Sequence, residues 1–252
     1  MKLNKLFYFF LLFVIALTSC KDDEDSTPAQ SLENAELSFS ASETPIELPA
    51  AMLSSDDPVA QQAVGYVQQI NSMTNQLSLF DVPAGATKST TPIGKKSSDN
   101  GRTEEDYLVY TYTDGDYSVA YQISETTTHY VFELFWKLSP ESDYIKIVGA
   151  QESKLIREGF LEYFDFSGQN QNEFVFRYEW SEDPNGVLYF DLLTANDAFR
   201  INAIINPNNS GSINYYADGD LFYTINWNAD GSGSWIQFDS EGNSVNSGEW
   251  SA

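Results

Sequence analysis

The chain of 252 residues carries 13 basic and 37 acidic side chains, which gives a net charge of −24. A surface of that charge repels phosphate groups, so the composition excludes nucleic acid as a partner. With a single cysteine the chain forms no internal disulfide, and the 15% share of aromatic residues favours strands packed around a core.

The first residues have the layout of a secretory signal peptide. Lys2 and Lys5 form a basic head, and residues 6–17 are an unbroken apolar run. A transmembrane helix needs about 20 apolar residues, so this run is too short to be one. Two small residues then precede Cys20, the only cysteine of the chain. The pattern predicts export from the cytoplasm.

The segment Leu17-Thr18-Ser19-Cys20 resembles the lipobox of Gram-negative bacterial lipoproteins. The resemblance implies that residues 1–19 are a signal peptide removed before Cys20, and that Cys20 carries the lipid that anchors the protein to a membrane. Several acyl chains on one residue hold a protein stably on a bilayer, whereas one chain binds only marginally. An ordinary secreted protein with a free cysteine at this place is the alternative.

The residues after Cys20 bear on location. Lys21-Asp22-Asp23-Glu24-Asp25 resembles the tether, a lysine followed by acids, that sends some of these lipoproteins to the outer leaflet of the outer membrane. The resemblance implies a lipid-anchored outer-membrane protein exposed at the cell surface. The inner face of the outer membrane is the alternative, and a solvated acidic leash suits either location.

Four segments follow the signal peptide. Residues 20–55 are mostly Ser, Glu, Ala and Pro, which predicts a flexible acidic tether after the lipidated cysteine. Asp57-Pro58 is typical of a helix start, and apolar side chains then recur every three or four positions. This spacing predicts one amphipathic helix within residues 56–80. Residues 81–106, rich in Ser, Thr, Gly and Lys, are expected to form a flexible loop.

Residues 107–252 show short alternating runs separated by turn residues, which predicts a β domain. Turn pairs such as Asn185-Gly186 and Asp230-Gly231 recur at the spacing of strands joined by hairpins. No intervening stretch is long enough for a crossover helix, so consecutive strands must be antiparallel neighbours. The expected strands are Tyr107–Thr113, Tyr117–Ser124, His129–Leu138, Tyr144–Val148, Leu155–Phe166, Phe174–Trp180, Val187–Thr194, Phe199–Ile205, Ser212–Ala217, Leu221–Trp227, Ser234–Asp239 and Val245–Trp250.

The predicted fold class is all-β: an antiparallel up-and-down meander of about a dozen strands preceded by one amphipathic α-helix. Twist makes so wide a sheet curl or close, so we expect a barrel or a half-barrel with the helix against an open end or the concave face. By strand count and order alone, this architecture is similar to lipocalin-like barrels and to the half-barrels of lipoprotein carriers.

A weak internal repeat predicts a polar row on one face of the sheet. Folding the chain about its turns sets four amide side chains opposite one another in adjacent strands: Asn202, Asn214, Asn226 and Gln237. Tyr216 or Trp235 would supply a stacking surface beside them. The opposite, apolar face is expected to carry Ile201, Ile213, Ile225, Trp227, Ile236 and Phe238. The amide face is either solvated or the lining of a binding surface.

The inventory of reactive side chains argues against an enzyme. His129 is the only histidine, and no serine has a glycine-flanked nucleophile elbow. Glu158 and Glu162 share one face of a strand, but about 13 Å separates them, which is too far for a glycosidase pair. The turn around Asp230 lacks the closing glutamate of a calcium loop. We therefore predict no catalytic residue, no cofactor and no metal.

Three non-catalytic functions remain open, and a hydrolase is the residual class, which would require two carboxylates that converge in space from distant strands. The leading hypothesis is an apolar or lipid-like ligand held by the sheet, with the helix as a plug or lid. The second is a glycan bound on the row of Asn202, Asn214 and Asn226. The third is a structural or accessory role beside an outer-membrane protein partner. An apolar cavity favours the first, a filled core with an open amide groove the second, and a filled core without a groove the third.

Overall fold

The fold is a single wide antiparallel sheet with one long helix across it. The computed structural model describes residues 32–35, 37, 46–94, 107–166 and 173–252, so the predicted lipidation site Cys20 and the acidic run 21–25 lie outside the described residues. Within them, thirteen strands follow one another: β1 Thr87–Ser89, β2 Tyr107–Asp114, β3 Tyr117–Glu125, β4 His129–Lys137, β5 Ile145–Ser153, β6 Glu158–Phe164, β7 Phe174–Glu182, β8 Leu188–Thr194, β9 Phe199–Ile205, β10 Gly211–Ala217, β11 Asp220–Trp227, β12 Gly233–Phe238 and β13 Ser244–Trp250.

Every strand pairs with its sequence neighbours in the order β1 to β13, which confirms the predicted meander. β1 and β13 form the two edges of the described sheet, so the sheet is open rather than closed into a barrel. Three details differ from expectation. β5 extends to Ser153, five residues beyond its predicted end at Val148. β1 lies within the predicted loop of residues 81–106. Leu155 and Ile156, predicted to start a strand, belong to the connection before β6 and are 82% and 57% exposed.

Helices occupy the stretch before the first strand: α1 Ala50–Leu53, α2 Pro58–Asn75 and the 3-10 helix η1 Gln76–Phe80. Asp57 caps α2, because one of its carboxylate oxygens accepts the backbone N–H of Val59 at 2.8 Å and that of Ala60 at 3.0 Å. Pro58 suits the first helical position, where its missing N–H costs no hydrogen bond. The predicted helix is thus present and tightens into a 3-10 turn at its end.

The helix α2 crosses one side of the sheet, which we call the helix face; the other side is the outer face. Tyr66 of α2 stacks on Tyr215 of β10 with the ring centroids 5.5 Å apart. Beyond the end of α2, Phe80 of η1 packs against Phe132 of β4 at 5.8 Å. The helical segment therefore runs across the strands, from the C-terminal part of the sheet towards its first strands.

The helix face forms the hydrophobic core. Side chains on this face lie opposite one another in adjacent strands: Leu161 lies opposite Tyr178, and Leu192 lies opposite Ile201. The largest completely buried side chains are Tyr178, Phe190, Leu32, Met52, Ile70, Leu77, Leu108, Leu161, Leu192, Ile201, Ile213 and Ile225. One apolar stripe of α2 and one face of the sheet therefore share a continuous core.

Part of the stretch expected to be a flexible tether also packs on this core. Leu32 and Met52 are fully buried. Asn71 of α2 holds Ile46 by two hydrogen bonds: its Oδ1 accepts the Ile46 N–H at 2.9 Å, and its Nδ2 donates to the Ile46 carbonyl at 3.1 Å. Scattered apolar side chains thus bring this polar stretch onto the domain, because burying them removes apolar area from water.

The C-terminal strands are built from consecutive hairpin repeats at residues 183–205, 206–227 and 228–250. Each repeat starts with a tight turn. In the third, the N–H of Asn228 donates to the Ser232 carbonyl at 2.8 Å, and the Asn228 carbonyl accepts the N–H of Gly231 at 3.0 Å. The fourth residue of each turn has a positive φ, which suits glycine or asparagine; these residues are Gly186 (80°), Asn209 (65°) and Gly231 (92°).

A tryptophan closes the third repeat over a glycine. Trp250 lies directly opposite Gly233, and its Nε1 donates to the Gly231 carbonyl at 2.7 Å. A Cβ atom on Gly233 would lie 2.1 Å from the Trp250 ring, so glycine is required for the indole to lie on the strand. Trp227 and Gly211 repeat this pairing one hairpin earlier. The indoles thereby pin the tight turns at one end of the sheet.

Candidate functional site

The structure brings together only part of the predicted amide row. Asn202 and Asn214 are direct partners across β9 and β10 on the outer face, as the sequence predicted. Asn214 then faces Thr224 of β11, whose hydroxyl donates to the Asn214 Oδ1 at 3.0 Å. Asn226 lies on the same face but opposite Ser212. A bulge between Tyr215 and Tyr216 accompanies this offset.

Gln237 and Trp235 do not belong to the outer face. Gln237 faces Tyr223 and Trp235 faces Ile225, which puts both on the helix face. Ile236, predicted for the core, lies on the outer face and is 38% exposed. The predicted register of the β11–β12 hairpin is wrong by an odd number of residues. An odd shift moves every side chain of a strand to the other face, which explains all three reversals.

Tyr216 does lie on the outer face, opposite Arg200 of β9. The Arg200 guanidinium carbon is 5.7 Å from the Tyr216 ring centroid. Asn226 is further away along the strand, where it lines a separate depression of about 680 Å³ with Ser234 and Glu249. The residues that the sequence proposed for one binding surface are therefore divided between places on both faces.

A cavity of about 600 Å³ lies on the helix face, where α2 has ended and η1 covers the first strands. We call it the inner cavity. Strands β2 to β4 form its floor, η1 one wall, and the segment before α1 its roof. The lining is mostly apolar and consists of Leu32, Glu33, Ala35, Leu37, Leu77, Phe80, Asp81, Val82, Leu108, Tyr110, Ile123 and Phe132.

The charged groups of the inner cavity are at its mouth. Glu33 and Asp81 are both exposed to solvent. Glu33 pairs with Lys88 of β1, which ties the roof segment to the edge of the sheet. Burial raises the pKa of the neighbouring Tyr121 hydroxyl, and the negative charge of Asp81 adds to the rise. The inner cavity therefore combines mostly apolar lining residues with two exposed carboxylates.

A second depression, of about 400 Å³, opens on the outer face over β4 to β9, and we call it the outer groove. Its polar and aromatic lining residues include His129, Gln151, Glu158, Phe160, Arg177, Glu179, Ser181, Tyr189, Asp191 and Asn202. A cross-strand row runs through it, with one side chain from each of β5 to β9: Gln151, Phe160, Glu179, Asp191 and Asn202. Asn202 thus joins a site different from the one predicted.

Two arginines hold the carboxylates of the outer groove in place. The Nε atom of Arg177 lies 2.5 Å from Glu179 Oε1, and its guanidinium carbon lies 4.2 Å from the Phe160 ring centroid. Arg200 donates two hydrogen bonds to Asp191, at 2.8 and 2.5 Å. The hydrogen bonding to Asp191 raises the pKa of Arg200. Both carboxylates are thus paired with guanidinium groups.

Sequence reasoning missed most of the outer groove. Glu179 and Asp191 are in different strands, and no local spacing connects them. Aligning the hairpin repeats would have supplied one signal, since Asp191 and Asn214 occupy equivalent positions and so do Ile213 and Trp235. That alignment puts Trp235 in the core and places Asp191 in the row with the asparagines.

Comparison with known proteins adds no family to these observations. No protein-family model matches the chain, and no curated protein matches it significantly. Over the described part of the chain, no helix is both long and apolar enough to span a bilayer. In the same residues, no group of three or more His, Cys, Asp or Glu side chains is arranged to hold a metal ion.

Proposed function

We propose that this protein is a non-catalytic lipoprotein of the outer membrane, anchored through Cys20 and displayed at the cell surface, that binds an apolar or lipid-like ligand in the inner cavity. The observation that carries the proposal is a space of about 600 Å³ lined mainly by leucine, phenylalanine, valine and isoleucine. Ligand pockets span about 300–1,000 Å³ and are mostly apolar, with few polar groups.

The floor of the inner cavity favours a hydrocarbon chain over a polar solute. Leu108, Ile123 and Phe132 are buried there by the surrounding segments. Each methylene of a ligand that moves from water into such a space contributes about 0.8 kcal/mol. A polar solute would lose its hydrogen bonds to water on the same path, which is unfavourable.

The mouth of the inner cavity favours particular head groups. Asp81 is exposed there, and Glu33 is already neutralised by Lys88. The chain as a whole carries a net charge of −24. Asp81 at the mouth and the net charge of the whole chain would both repel an anionic head group. We therefore expect a neutral or cationic amphiphile rather than a free fatty acid.

The roof of the inner cavity connects it to the proposed anchor. Leu32 and Leu37 cover the cavity. The chain from Cys20 to Leu32 spans at most about 40 Å when fully extended. With Cys20 held in a bilayer, the cavity mouth stays within that distance of the lipid surface. We therefore expect a membrane-derived ligand to enter by displacing this roof segment.

Native mass spectrometry tests ligand binding. The full chain is extracted from bacterial envelopes in a detergent of known mass, and we expect adducts of lipid mass that survive removal of the detergent. Ile123→Trp puts an indole into the inner cavity and should abolish these adducts. Ile236→Trp makes the same exchange on the outer face and should leave them. An adduct-free wild type, or equal adducts in the two variants, contradicts the proposal and favours an accessory role without a small ligand.

Anchoring and display are tested separately in cells. Metabolic labelling with palmitate should mark the wild type and not the Cys20→Ala variant. Protease added to intact cells should degrade a protein displayed on the outer leaflet. Labelling of the Cys20→Ala variant would contradict the lipid anchor, and protection from protease would place the protein on the inner face of the outer membrane.

A further inference from the structure

The outer groove lies on the face of the sheet opposite the inner cavity, so an inference about it is independent of the lipid proposal. Adjacent strands of a sheet are about 4.8 Å apart, and the row Gln151, Phe160, Glu179, Asp191, Asn202 therefore presents one side chain at each such step. The row continues beyond the groove to Asn214 and Thr224. Such an array suits an extended ligand that lies across the strands.

The hydrogen-bonding groups of the groove are preorganised. Two hydrogen bonds from Arg200 fix Asp191, and Glu179 forms an ion pair with Arg177, which also donates a hydrogen bond to Glu162. A carboxylate held in this way retains lone pairs that can accept hydrogen bonds from ligand hydroxyls. Asn202 adds an amide that both donates and accepts. Side chains that are already ordered lose little entropy on binding, so these contacts contribute more of their energy to affinity.

Aromatic rings accompany these polar groups. Tyr189 faces Ser181 across β7 and β8, lines the groove and is 39% exposed. Phe160 lies in the row between Gln151 and Glu179, under the Arg177 guanidinium. The guanidinium covers the Phe160 ring, so the exposed Tyr189 ring offers the flat apolar surface on which the C–H face of a pyranose can pack, while the hydroxyls at the rim of the sugar reach the polar groups.

The charges of the groove exclude anionic ligands. Arg200 neutralises Asp191, and Arg177 is shared between Glu162 and Glu179. The Glu158 carboxylate and the net charge of −24 repel an anion. The two guanidinium groups beside the carboxylates disfavour a compact cation, so the amide, the paired carboxylates and the tyrosine of the groove match a neutral, hydroxyl-rich ligand best. We propose that the outer groove is a second binding site of this protein and that it takes a neutral oligosaccharide.

Isothermal titration calorimetry of the full chain tests the proposal. The probes are cellohexaose, maltohexaose, mannohexaose and chitohexaose, with hexagalacturonate as the anionic and spermine as the cationic comparison. We expect at least one neutral hexasaccharide to bind more tightly than either ionic probe. Tyr189→Ala should weaken that binding at least tenfold, and Asn202→Ala severalfold, because the first removes the stacking surface and the second one hydrogen-bonding group.

Tyr117→Ala is the matched control, since Tyr117 is 47% exposed at the β2–β3 hairpin and lies outside the outer groove. The affinity of Tyr117→Ala for the neutral hexasaccharide should stay within twofold of the wild-type affinity. Thermal unfolding of all variants shows whether each is folded. If Tyr189→Ala does not fold, the affinity of Asn202→Ala tests the outer groove in its place. The proposal is overturned by no binding of any neutral probe, by tighter binding of hexagalacturonate or spermine, or by unchanged affinity in both groove variants.

Discussion

The two ends of the sheet differ in how completely the helix covers them. Under α2, Tyr66 stacks on Tyr215, and the Thr74 hydroxyl lies 3.3 Å from that of Tyr178, so β7 to β10 pack directly against the helix. Towards β2 to β4, α2 has given way to η1, and the space beneath Phe80 remains as the inner cavity. One sheet thus combines a packed core with a binding cavity.

The difference follows from the path of the helical segment. Under α2, Ile201, Ile213 and Ile225 are completely buried in one core with the apolar stripe of the helix. Register shifts occur at both ends of the sheet, in the β4–β5 pair and in the β10–β11 pair, so they do not account for the difference. The helix α2 ends at Asn75, and only the shorter η1 continues towards the first strands. Capacity for a ligand on the helix face therefore lies beyond the end of α2.

The largest change in the free energy of unfolding should come from placing a larger side chain in the core at one end of the sheet, compared with the same change at the other end. Ile213→Trp forces an indole into the packed core and should lower the free energy of unfolding by about 3 kcal/mol. Ile123→Trp, at the inner cavity, should lower it by less than about 1 kcal/mol, because space is already present. Urea denaturation of both variants provides the measurement. Equal losses would show that the two ends are packed alike.

A second change disrupts the packing of the third hairpin repeat. Gly233→Ala puts a methyl group 2.1 Å from the Trp250 ring and should destabilise the protein by about 1–3 kcal/mol, since the indole must move. Gly65→Ala is the control: nothing lies within 4 Å of a Cβ atom on this glycine of α2, so the change should stabilise by about 0.5–1 kcal/mol. Thermal denaturation should show a lower melting temperature for Gly233→Ala and a higher one for Gly65→Ala. An unchanged melting temperature of Gly233→Ala would show that the indole is free to shift.

A smaller effect should come from the contact between α2 and β7. Tyr178→Phe removes a buried hydroxyl that lies near Thr74 and should cost about 0.5–1.5 kcal/mol at neutral pH. Burial raises the pKa of Tyr178, so its contribution is complete below the unfolded pKa of 10.0 and is lost as the pH rises further. The deficit of the variant should therefore shrink between pH 7 and pH 11, as measured by denaturation at both. A deficit that grows at high pH would contradict this assignment.

The smallest effect concerns the turns. Backbone N–H donation by Val187 lowers the pKa of Asp183, the Ser232 hydroxyl lowers that of Asp230, and the Asn243 N–H lowers that of Asp239. A lowered pKa in the fold gives stability above the unfolded value of 3.8 that is lost as the pH falls through the folded value.

Replacing these three aspartates by asparagine keeps an oxygen that accepts the turn hydrogen bonds but removes the titration. When the pH is lowered below about 4, the melting temperature of the wild type should decrease. The melting temperature of the triple variant should decrease less steeply over the same range. Parallel curves for the two proteins would show that the turn carboxylates do not contribute to acid sensitivity.

Much of the fold was predictable because its signals are local. Turn pairs such as Asn185-Gly186 and the alternation of apolar residues predicted the meander, and Asp57-Pro58 predicted the start of α2. β1 was missed because it is short and polar, and its pairing with β2 decides its structure. Leu155 and Ile156 were misassigned because apolar residues usually favour a strand, whereas these two are exposed in a connection.

The binding sites were less predictable because they depend on register and on chain segments distant in sequence. Asn202 opposite Asn214 followed from a simple hairpin, but one odd shift reversed Gln237. The roof of the inner cavity comes from a stretch whose composition indicated a tether. Only the tertiary structure brings Leu32 to the same cavity as Phe132, and no spacing in the sequence encodes that proximity.

If the inner cavity holds a hydrocarbon chain, a labelled chain should be found inside it. Crystals of the full chain soaked with 12-bromododecanol test it most directly, because the anomalous signal of bromine locates the chain without prior assumptions. We predict a bromine peak inside the inner cavity, near Leu108 and Ile123, and no such peak in Ile123→Trp crystals. A peak only at exposed apolar residues such as Leu155, or the same peak in both proteins, would contradict the account.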